Sequence, residues 1–185
     1  MHELILGGQK SGKSRCAEQR AGAWLQQPGN SCVLLVTALG HDEEMRERIR
    51  RHRDDRSLRL PALRTDEVPR ELPLAIASQS SPDRLLVVDC LTLWLTNLLM
   101  PMHGSALSAG AWASKHDELC EALVSAPGPV LMISNEISLG LTPMGREARH
   151  FVDELGLLHQ TLASLCSRVT LMVAGLEMAL KRGSV

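Results

Sequence analysis

The sequence predicts an α/β fold in which a mostly parallel β-sheet is flanked by helices within a single domain. Three observations predict it: short apolar runs typical of buried strands, helical stretches that alternate with those runs, and a glycine-rich motif directly after the first run. The chain has 185 residues, enough for one domain with a sizeable core, and neither an internal repeat nor a linker divides it. We therefore expect residues 1–185 to form one domain.

Five apolar runs predict strands. Because they are continuously apolar, they are typical of parallel strands that are covered on both faces. In such sheets ligands bind beyond the carboxyl ends of the strands, so we expect the functional site there. The runs are Glu3–Leu6, Cys32–Val36, Leu85–Val88, Val130–Ile133 and Val169–Ala174. Helices are predicted over Ser14–Ala21, Asp42–Asp54, Arg70–Ser78, Leu91–Met100, Leu107–Ser125 and Arg146–Cys166.

The motif after the first run has the form G-x-x-x-x-G-K-S of a phosphate-binding loop (P-loop). Its glycines allow consecutive N–H groups to point at phosphate oxygens, and the following helix directs its N-terminus at the same anion. Lys13 is expected to reach the β- and γ-phosphates, and the Ser14 hydroxyl to bind Mg²⁺. The alternative, a chance glycine-rich turn, is disfavoured by the flanking strand and helix. The candidate nucleotide-binding residues are Gly7, Gly8, Gln9, Lys10, Ser11, Gly12, Lys13 and Ser14. Together with the parallel sheet they predict a P-loop NTPase-like fold.

A second acidic element follows the strand Leu85–Val88, which ends directly before Asp89. In P-loop enzymes a carboxylate at this place is linked to Mg²⁺, either through the loop hydroxyl or through a bound water. Asp89 is therefore the second candidate metal residue beside Ser14. The alternative is that Asp89 caps the helix that follows it.

The stretch Asp42–Arg56 begins acidic and ends basic, as suits a helix dipole. Met45, Ile49 and His52 fall on one face of that helix. A solvated charged helix with a structural histidine explains the charge pattern. The alternative is that His52 attacks a phosphate, while the flanking cations neutralise the triphosphate and keep the imidazole neutral by lowering its pKa.

Composition excludes several classes of protein. A net charge of −1 and a near absence of aromatic residues argue against a nucleic-acid-binding protein. The longest apolar run, Cys90–Met102, is interrupted and too short to span a membrane. Five scattered cysteines without a C-x-x-C pair predict reduced thiols, and no secretory segment precedes the first strand, so we expect a cytoplasmic protein.

An ordered set of motifs resembles one family. The P-loop, D-E-x-M at Asp42–Met45, R-I-x-x-H at Arg48–His52, T-N-L-L at Thr96–Leu99 and N-E-I at Asn135–Ile137 occur in that order, and V-A-G-L at Val173–Leu176 ends the series. This set is similar to the bifunctional adenosylcobinamide kinase / adenosylcobinamide-phosphate guanylyltransferase family of cobalamin biosynthesis. The resemblance covers nearly the whole chain, from Leu6 to about Lys181.

The resemblance implies two reactions. Adenosylcobinamide is phosphorylated on its aminopropanol hydroxyl by ATP or GTP, and GMP is then transferred from GTP onto that phosphate with release of pyrophosphate. It implies that His52 is the guanylylated catalytic residue, that Lys13 serves the kinase step, and that the protein is a homotrimer. The implied guanine-nucleotide contacts are Gly7–Ser14, Val36, Thr37, Ala38, Arg53, Asp54, Asp55, Arg56, Glu67 and Asp89.

The chain departs from the family pattern at a few places. The segment Ser57–Thr65 is longer than usual and lacks a tryptophan, which bears on Glu67. Ser138 stands where glycine is frequent, and His159 where asparagine is frequent. Asn135 and Glu136 follow a predicted strand, and either helix capping or contact with substrate explains them.

Two other functions are compatible with a P-loop. One is a different small-molecule kinase in which His52 is structural. The other is a nucleotide-dependent switch, although no N-K-x-D guanine-reading motif is present.

Overall fold

The computed structural model describes residues 2–40, 43, 47, 50, 60 and 63–183. They form one seven-stranded sheet, flanked by helices on both faces, in the order β3-β2-β4-β5-β1-β6-β7. The first six strands run parallel, and β7 pairs antiparallel with β6. The strands are β1 (Glu3–Gly7), β2 (Ser31–Val36), β3 (Arg64–Glu67), β4 (Arg84–Asp89), β5 (Val130–Asn135), β6 (Arg168–Val173) and β7 (Leu176–Lys181). The predicted mostly parallel α/β sheet is confirmed.

The helices alternate with the strands as predicted. Those with described bounds are α1 (Lys13–Leu25), α2 (Leu72–Gln79), α3 (Leu91–Leu99), α4 (Ala109–Ser125) and α5 (Arg146–Leu165). The helix predicted over Asp42–Asp54 lies largely outside the described residues, but Glu43, Glu47 and Arg50 within it are helical. Among the described residues no helix has the length and apolarity that a membrane crossing requires.

Two apolar layers cover the sheet, one on each face. Successive strand residues alternate between them, so Ile5 packs on the α1 side while Leu4 packs on the opposite side with helices α2 to α5. Both side chains are fully buried. This two-sided burial explains why the central strands are continuously apolar in sequence.

Two strands were not predicted, and both are edges of the sheet. β3 has the polar sequence RTDE and pairs only with β2, and β7 is exposed along its whole length. The turn between β6 and β7 is tight, with positive φ values of 52° at Ala174 and 82° at Gly175. Edge strands face solvent, so they lack the apolar signature that identifies central strands.

Candidate nucleotide-binding site

The P-loop connects the end of β1 to the start of α1. Gly7 is the last residue of β1, and Gly12 stands at the N-cap of α1 with a φ of 104° that favours glycine. Lys13 and Ser14 therefore occupy the first turn of α1, at the carboxyl edge of the sheet. This is the position from which a helix N-terminus and loop amides can bind phosphate.

Lys13 is buried, and its ammonium group is held by the loop itself. Its Nζ donates to the carbonyl oxygens of Gly7 at 2.8 Å and Gly8 at 2.7 Å. Burial is the main cause that lowers the pKa of Lys13, while the nearby Asp89 opposes the shift. The ammonium is thus placed at the loop, where phosphate oxygens can replace neutral carbonyls as its acceptors.

Neighbouring elements brace the P-loop. Glu136, just after β5, donates its backbone N–H to the Gly7 carbonyl at 3.0 Å. On the other side, the Gly175 N–H in the β6–β7 turn donates to the Ser11 carbonyl at 2.9 Å. A Cβ at Gly12 would lie only 3.3 Å from the Gly175 Cα, so the turn packs closely on the loop. β7, which the sequence did not predict, therefore begins beside the loop.

The ends of β2 and β4 are joined by Thr37. Its hydroxyl donates to the Cys90 carbonyl at 2.7 Å and accepts from the Cys90 N–H at 2.9 Å. Asn97 donates to the Thr37 carbonyl at 2.7 Å. Thr37, which the resemblance implies as a nucleotide contact, is fully buried and its hydroxyl is engaged within the protein, whereas Val36 and Ala38 on either side are partly exposed.

The two candidate metal residues lie on the same cavity. Ser14 and Asp89 both line a space of about 10 Å³ between α1 and the sheet, together with Glu18, which the sequence did not predict at this site. Hydroxyl and carboxylate oxygens are the ligands that Mg²⁺ prefers, and it commonly takes few protein ligands beside phosphates and waters. The donor set therefore fits Mg²⁺. No cluster of three or more His, Cys, Asp or Glu suited to a metal occurs in the described part of the chain.

Some of the other predicted site residues are exposed at the same edge of the sheet, and the rest lie outside the described residues. Glu67 ends β3 at the same edge of the sheet, in register with Val36, and is exposed. Gln9 and Lys10 are exposed on the loop. His52 and Arg53–Arg56 lie outside the described residues. Leu60, which follows them, packs with the apolar layer on the α1 side.

A polar chain of hydrogen-bonded side chains, which the sequence did not predict, lies beside the loop. The Ser134 hydroxyl, at the end of β5, lies 3.1 Å from Thr92 Oγ1 and 2.7 Å from His159 Nε2. The other ring nitrogen of His159 is 3.7 Å from Glu136 Oε2. Burial lowers the pKa of His159, against the opposing influence of Glu136. Two features of the sequence point to this cluster: the polar residue Thr92 inside an apolar helix, and the pair Asn135-Glu136 directly after a predicted strand.

A parallel sheet with this loop at the end of β1 defines a P-loop NTPase-like protein. Two solved structures share its fold. The flagellar accessory protein FlaH from Methanocaldococcus jannaschii matches with a TM-score of 0.53 and 13% identity, covering 98% of this chain and 78% of that one. The ATPase domain of G40P matches with a TM-score of 0.54 and 14% identity, covering 92% and 68% of the two chains.

Within that class, the chain belongs to the cobinamide kinase / cobinamide phosphate guanyltransferase family, whose family model matches residues 3–180. It is therefore an enzyme of a bifunctional family, and the resemblance carried by its motifs is confirmed. The bifunctional adenosylcobalamin biosynthesis protein CobP of Pseudomonas aeruginosa is 44% identical over 182 residues, which are 98% of each chain. The bifunctional adenosylcobalamin biosynthesis protein CobU of Salmonella typhimurium is 34% identical, and the match covers 96% of this chain and 98% of that protein.

Proposed function

We propose that this enzyme phosphorylates adenosylcobinamide with ATP or GTP and then transfers GMP from GTP to the new phosphate through a guanylylated His52. The products are adenosylcobinamide-GDP and pyrophosphate. The observation that carries the proposal is the P-loop, in which buried Lys13 stands beside the cavity shared by Ser14 and Asp89. The family match over residues 3–180 supports the pairing of the two reactions.

The kinase step depends on position and charge. The loop residues Gly7–Ser14 would cradle the phosphates, and Lys13 would neutralise charge that develops on the transferred phosphoryl group. Ser14 and Asp89 would hold Mg²⁺, which supplies further charge neutralisation when bound. Val36, Ala38 and Glu67 would contact the guanine nucleotide from the same edge of the sheet. Buried Thr37 would hold the chain between Val36 and Ala38 through its bonds to Cys90 and Asn97.

The transfer step needs a nucleophile at the α-phosphate. In our proposal His52 forms a phosphoramidate bond to the GMP moiety, and this splits one displacement into two. Arg53, Asp54, Asp55 and Arg56 would adjoin the nucleotide. Leu60, eight residues after His52, packs on the face of the sheet that carries α1.

Labelling with GTP that carries the label at its α-phosphate tests this function. We expect the wild-type protein to take up acid-labile, alkali-stable label, and His52→Ala to take up none. His103→Ala, a change in an exposed loop, is the matched control and should be labelled like the wild type. A plain kinase or a nucleotide switch would remain unlabelled in every variant.

A second variant tests the role of the P-loop. Lys13→Ala should abolish phosphorylation of adenosylcobinamide, and retained phosphorylation would contradict the assignment of this lysine.

We also propose that residues 1–185 form one catalytic domain, that the enzyme works in the cytoplasm, and that three copies assemble into a homotrimer. The exposed apolar side chains of β7 support assembly through this edge of the sheet.

A further inference from the structure

The polar chain beside the P-loop ends at a carboxylate. Glu136 Oε1 accepts hydrogen bonds from the backbone N–H of Ser138, at 2.7 Å, and from the Ser138 hydroxyl. Within the described part of the chain, Oε2 makes only the longer 3.7 Å approach to His159 Nδ1. One oxygen of this carboxylate is therefore engaged, and the other can accept a further hydrogen bond.

One direction of donation satisfies every polar group from Thr92 to His159. The Asn135 backbone N–H donates to Thr92 Oγ1 at 2.7 Å, so the Thr92 hydroxyl can donate onward to Ser134. Ser134 then donates to His159 Nε2, which leaves the ring proton on Nδ1, facing Glu136. The opposite tautomer would point a nitrogen lone pair at a carboxylate, which is unfavourable. In this arrangement the neutral His159 ring directs its Nδ1 proton toward Glu136 Oε2, 3.7 Å away.

The backbone of Glu136 places this carboxylate next to the phosphate site. Its N–H and the Lys13 ammonium donate to the same acceptor, the carbonyl oxygen of Gly7. Lys13 is the group expected at the β- and γ-phosphates. The Glu136 side chain is only 16% exposed, which keeps the carboxylate in a partly desolvated position beside that end of the nucleotide.

The carboxylates that line the metal cavity lie on the other side of the loop from Glu136. Asp89 and Glu18 line the cavity with Ser14 on the α1 side, where the metal is expected. Ser134 and His159, by contrast, lie on the face covered by α3 and α5, since Met132 on the same strand packs in that layer. Glu136 therefore stands on the opposite side of the loop from the metal cavity, where a second substrate can approach.

We propose that Glu136 is the catalytic carboxylate of the kinase step, which accepts the proton of the acceptor hydroxyl, and that His159, Ser134 and Thr92 position it. This inference rests on the proposed function. In the step, the hydroxyl O–H bond breaks toward Glu136 Oε2 while the oxygen forms a bond to the γ-phosphorus. The bond from the γ-phosphorus to the bridging oxygen breaks, and ADP or GDP leaves. The proton then passes from Glu136 to solvent.

The test separates the two reactions of the enzyme. Phosphorylation of adenosylcobinamide by ATP and self-labelling by α-labelled GTP are measured on the same preparations of wild type, Glu136→Gln and Glu136→Ala. We expect both variants to lose about 100-fold in the kcat of phosphorylation, with little change in KM for the nucleotide and with wild-type self-labelling. Asp153→Asn, which removes an exposed carboxylate on α5, is the matched control and should retain wild-type kcat.

His159 is tested as a positioning residue. His159→Asn retains one acceptor and one donor and should keep kcat within about threefold, whereas His159→Leu should lower kcat by about tenfold with little effect on self-labelling.

Three outcomes would overturn the inference. The first is a Glu136 variant with a kcat within about threefold of wild type. The second is an equal loss of phosphorylation and self-labelling, which would make Glu136 only a support of the loop. The third is an equal kcat in the two His159 variants. A wild-type enzyme that self-labels but does not phosphorylate adenosylcobinamide would instead contradict the proposed kinase reaction, and this inference with it.

Discussion

Gly7 and Gly8 are neighbours in the phosphate-binding loop, yet their surroundings differ. A Cβ on Gly7 would lie 2.5 Å from the Met172 carbonyl oxygen and 2.6 Å from Ser11 Oγ, and the residue has a φ of 152°. A Cβ on Gly8 would meet nothing within 4 Å. The requirement for glycine at the first position therefore comes from close packing against β6, whereas at the second position it has no steric origin in the protein itself.

This difference predicts unequal effects of alanine. We expect Gly7→Ala to lower the free energy of unfolding by about 2 kcal/mol or more, because backbone of two strands would have to move apart. Gly8→Ala should change it by less than about 0.5 kcal/mol. Urea unfolding of both variants measures the effect. Equal stabilities of the two variants would show that the loop can relax around a Cβ at Gly7.

His159 makes stability depend on pH. Burial lowers its pKa below the ordinary 6.5, so the unfolded chain binds the proton more readily than the folded protein. The contribution of neutral His159 to the free energy of unfolding is therefore fully present above pH 6.5. It is lost as the pH falls from there through the pKa of the folded state. His2 shifts in the same direction, also mainly through burial.

We expect the wild-type free energy of unfolding to be lower at about pH 5.5 than at about pH 7.5, and this loss to be smaller in His159→Asn. Denaturant unfolding at the two pH values measures it, and His2→Gln provides the comparison for the second histidine. If His159→Asn loses as much stability on acidification as the wild type does, His159 is not a source of the dependence.

At the scale of elements, the β6–β7 hairpin holds the P-loop from one side. Its turn carries Ala174 at a φ of 52° and Gly175 at a φ of 82°, and the Gly175 N–H reaches the Ser11 carbonyl. Positive φ at both central residues is typical of the tight turns that fit the twist of a hairpin, for which Asn-Gly is the preferred pair. Ala174 is therefore strained relative to the residue that the turn prefers.

We expect Ala174→Asn to raise the free energy of unfolding by about 0.5–1 kcal/mol, because asparagine adopts the left-handed region more readily than alanine. Ala174→Val, with a branched side chain, should lower it by about 1 kcal/mol or more. Thermal unfolding of the two variants against wild type measures both changes. An Ala174→Asn protein less stable than wild type would contradict the assignment of strain to this residue.

At the scale of the whole molecule, β7 leaves an apolar stripe on the surface. Leu176 and Met178 lie two residues apart on β7, so they share one face, and Leu180 follows where the pairing with β6 shifts register. The three side chains are 74%, 54% and 56% exposed. Val173, paired with Leu176 across the hairpin, is 52% exposed. An edge strand with exposed apolar side chains is a typical site of association between chains.

We expect light scattering to show a trimer for the wild type and a smaller species for Met178→Glu, because the interface would have to bury a charge. Leu74→Glu, at a single residue of α2 that is 66% exposed, is the control and should leave the mass unchanged. A wild-type monomer would contradict the proposed trimer, and a trimeric Met178→Glu would place the interface away from β7.

Much of this molecule could be predicted from short stretches of sequence. The five central strands, the alternating helices and the P-loop each carry a local signature, because burial on both faces and phosphate binding demand particular residues within a few positions. β3 and β7 lack the continuous apolar run of a strand that is buried on both faces, since strands at the edge of a sheet face solvent. The placement of His52 stays a prediction, because it lies outside the described residues.

The tertiary structure alone assembled the surroundings of the loop. Thr92, Ser134 and His159 come from three elements far apart in the chain, and they meet only because α3 packs against both β5 and α5. The same is true of the Gly175 contact with the loop. Local periodicity and motif chemistry therefore determine the fold class, the P-loop and the family, whereas contacts between distant residues depend on how strands and helices pack, which no single stretch of sequence records.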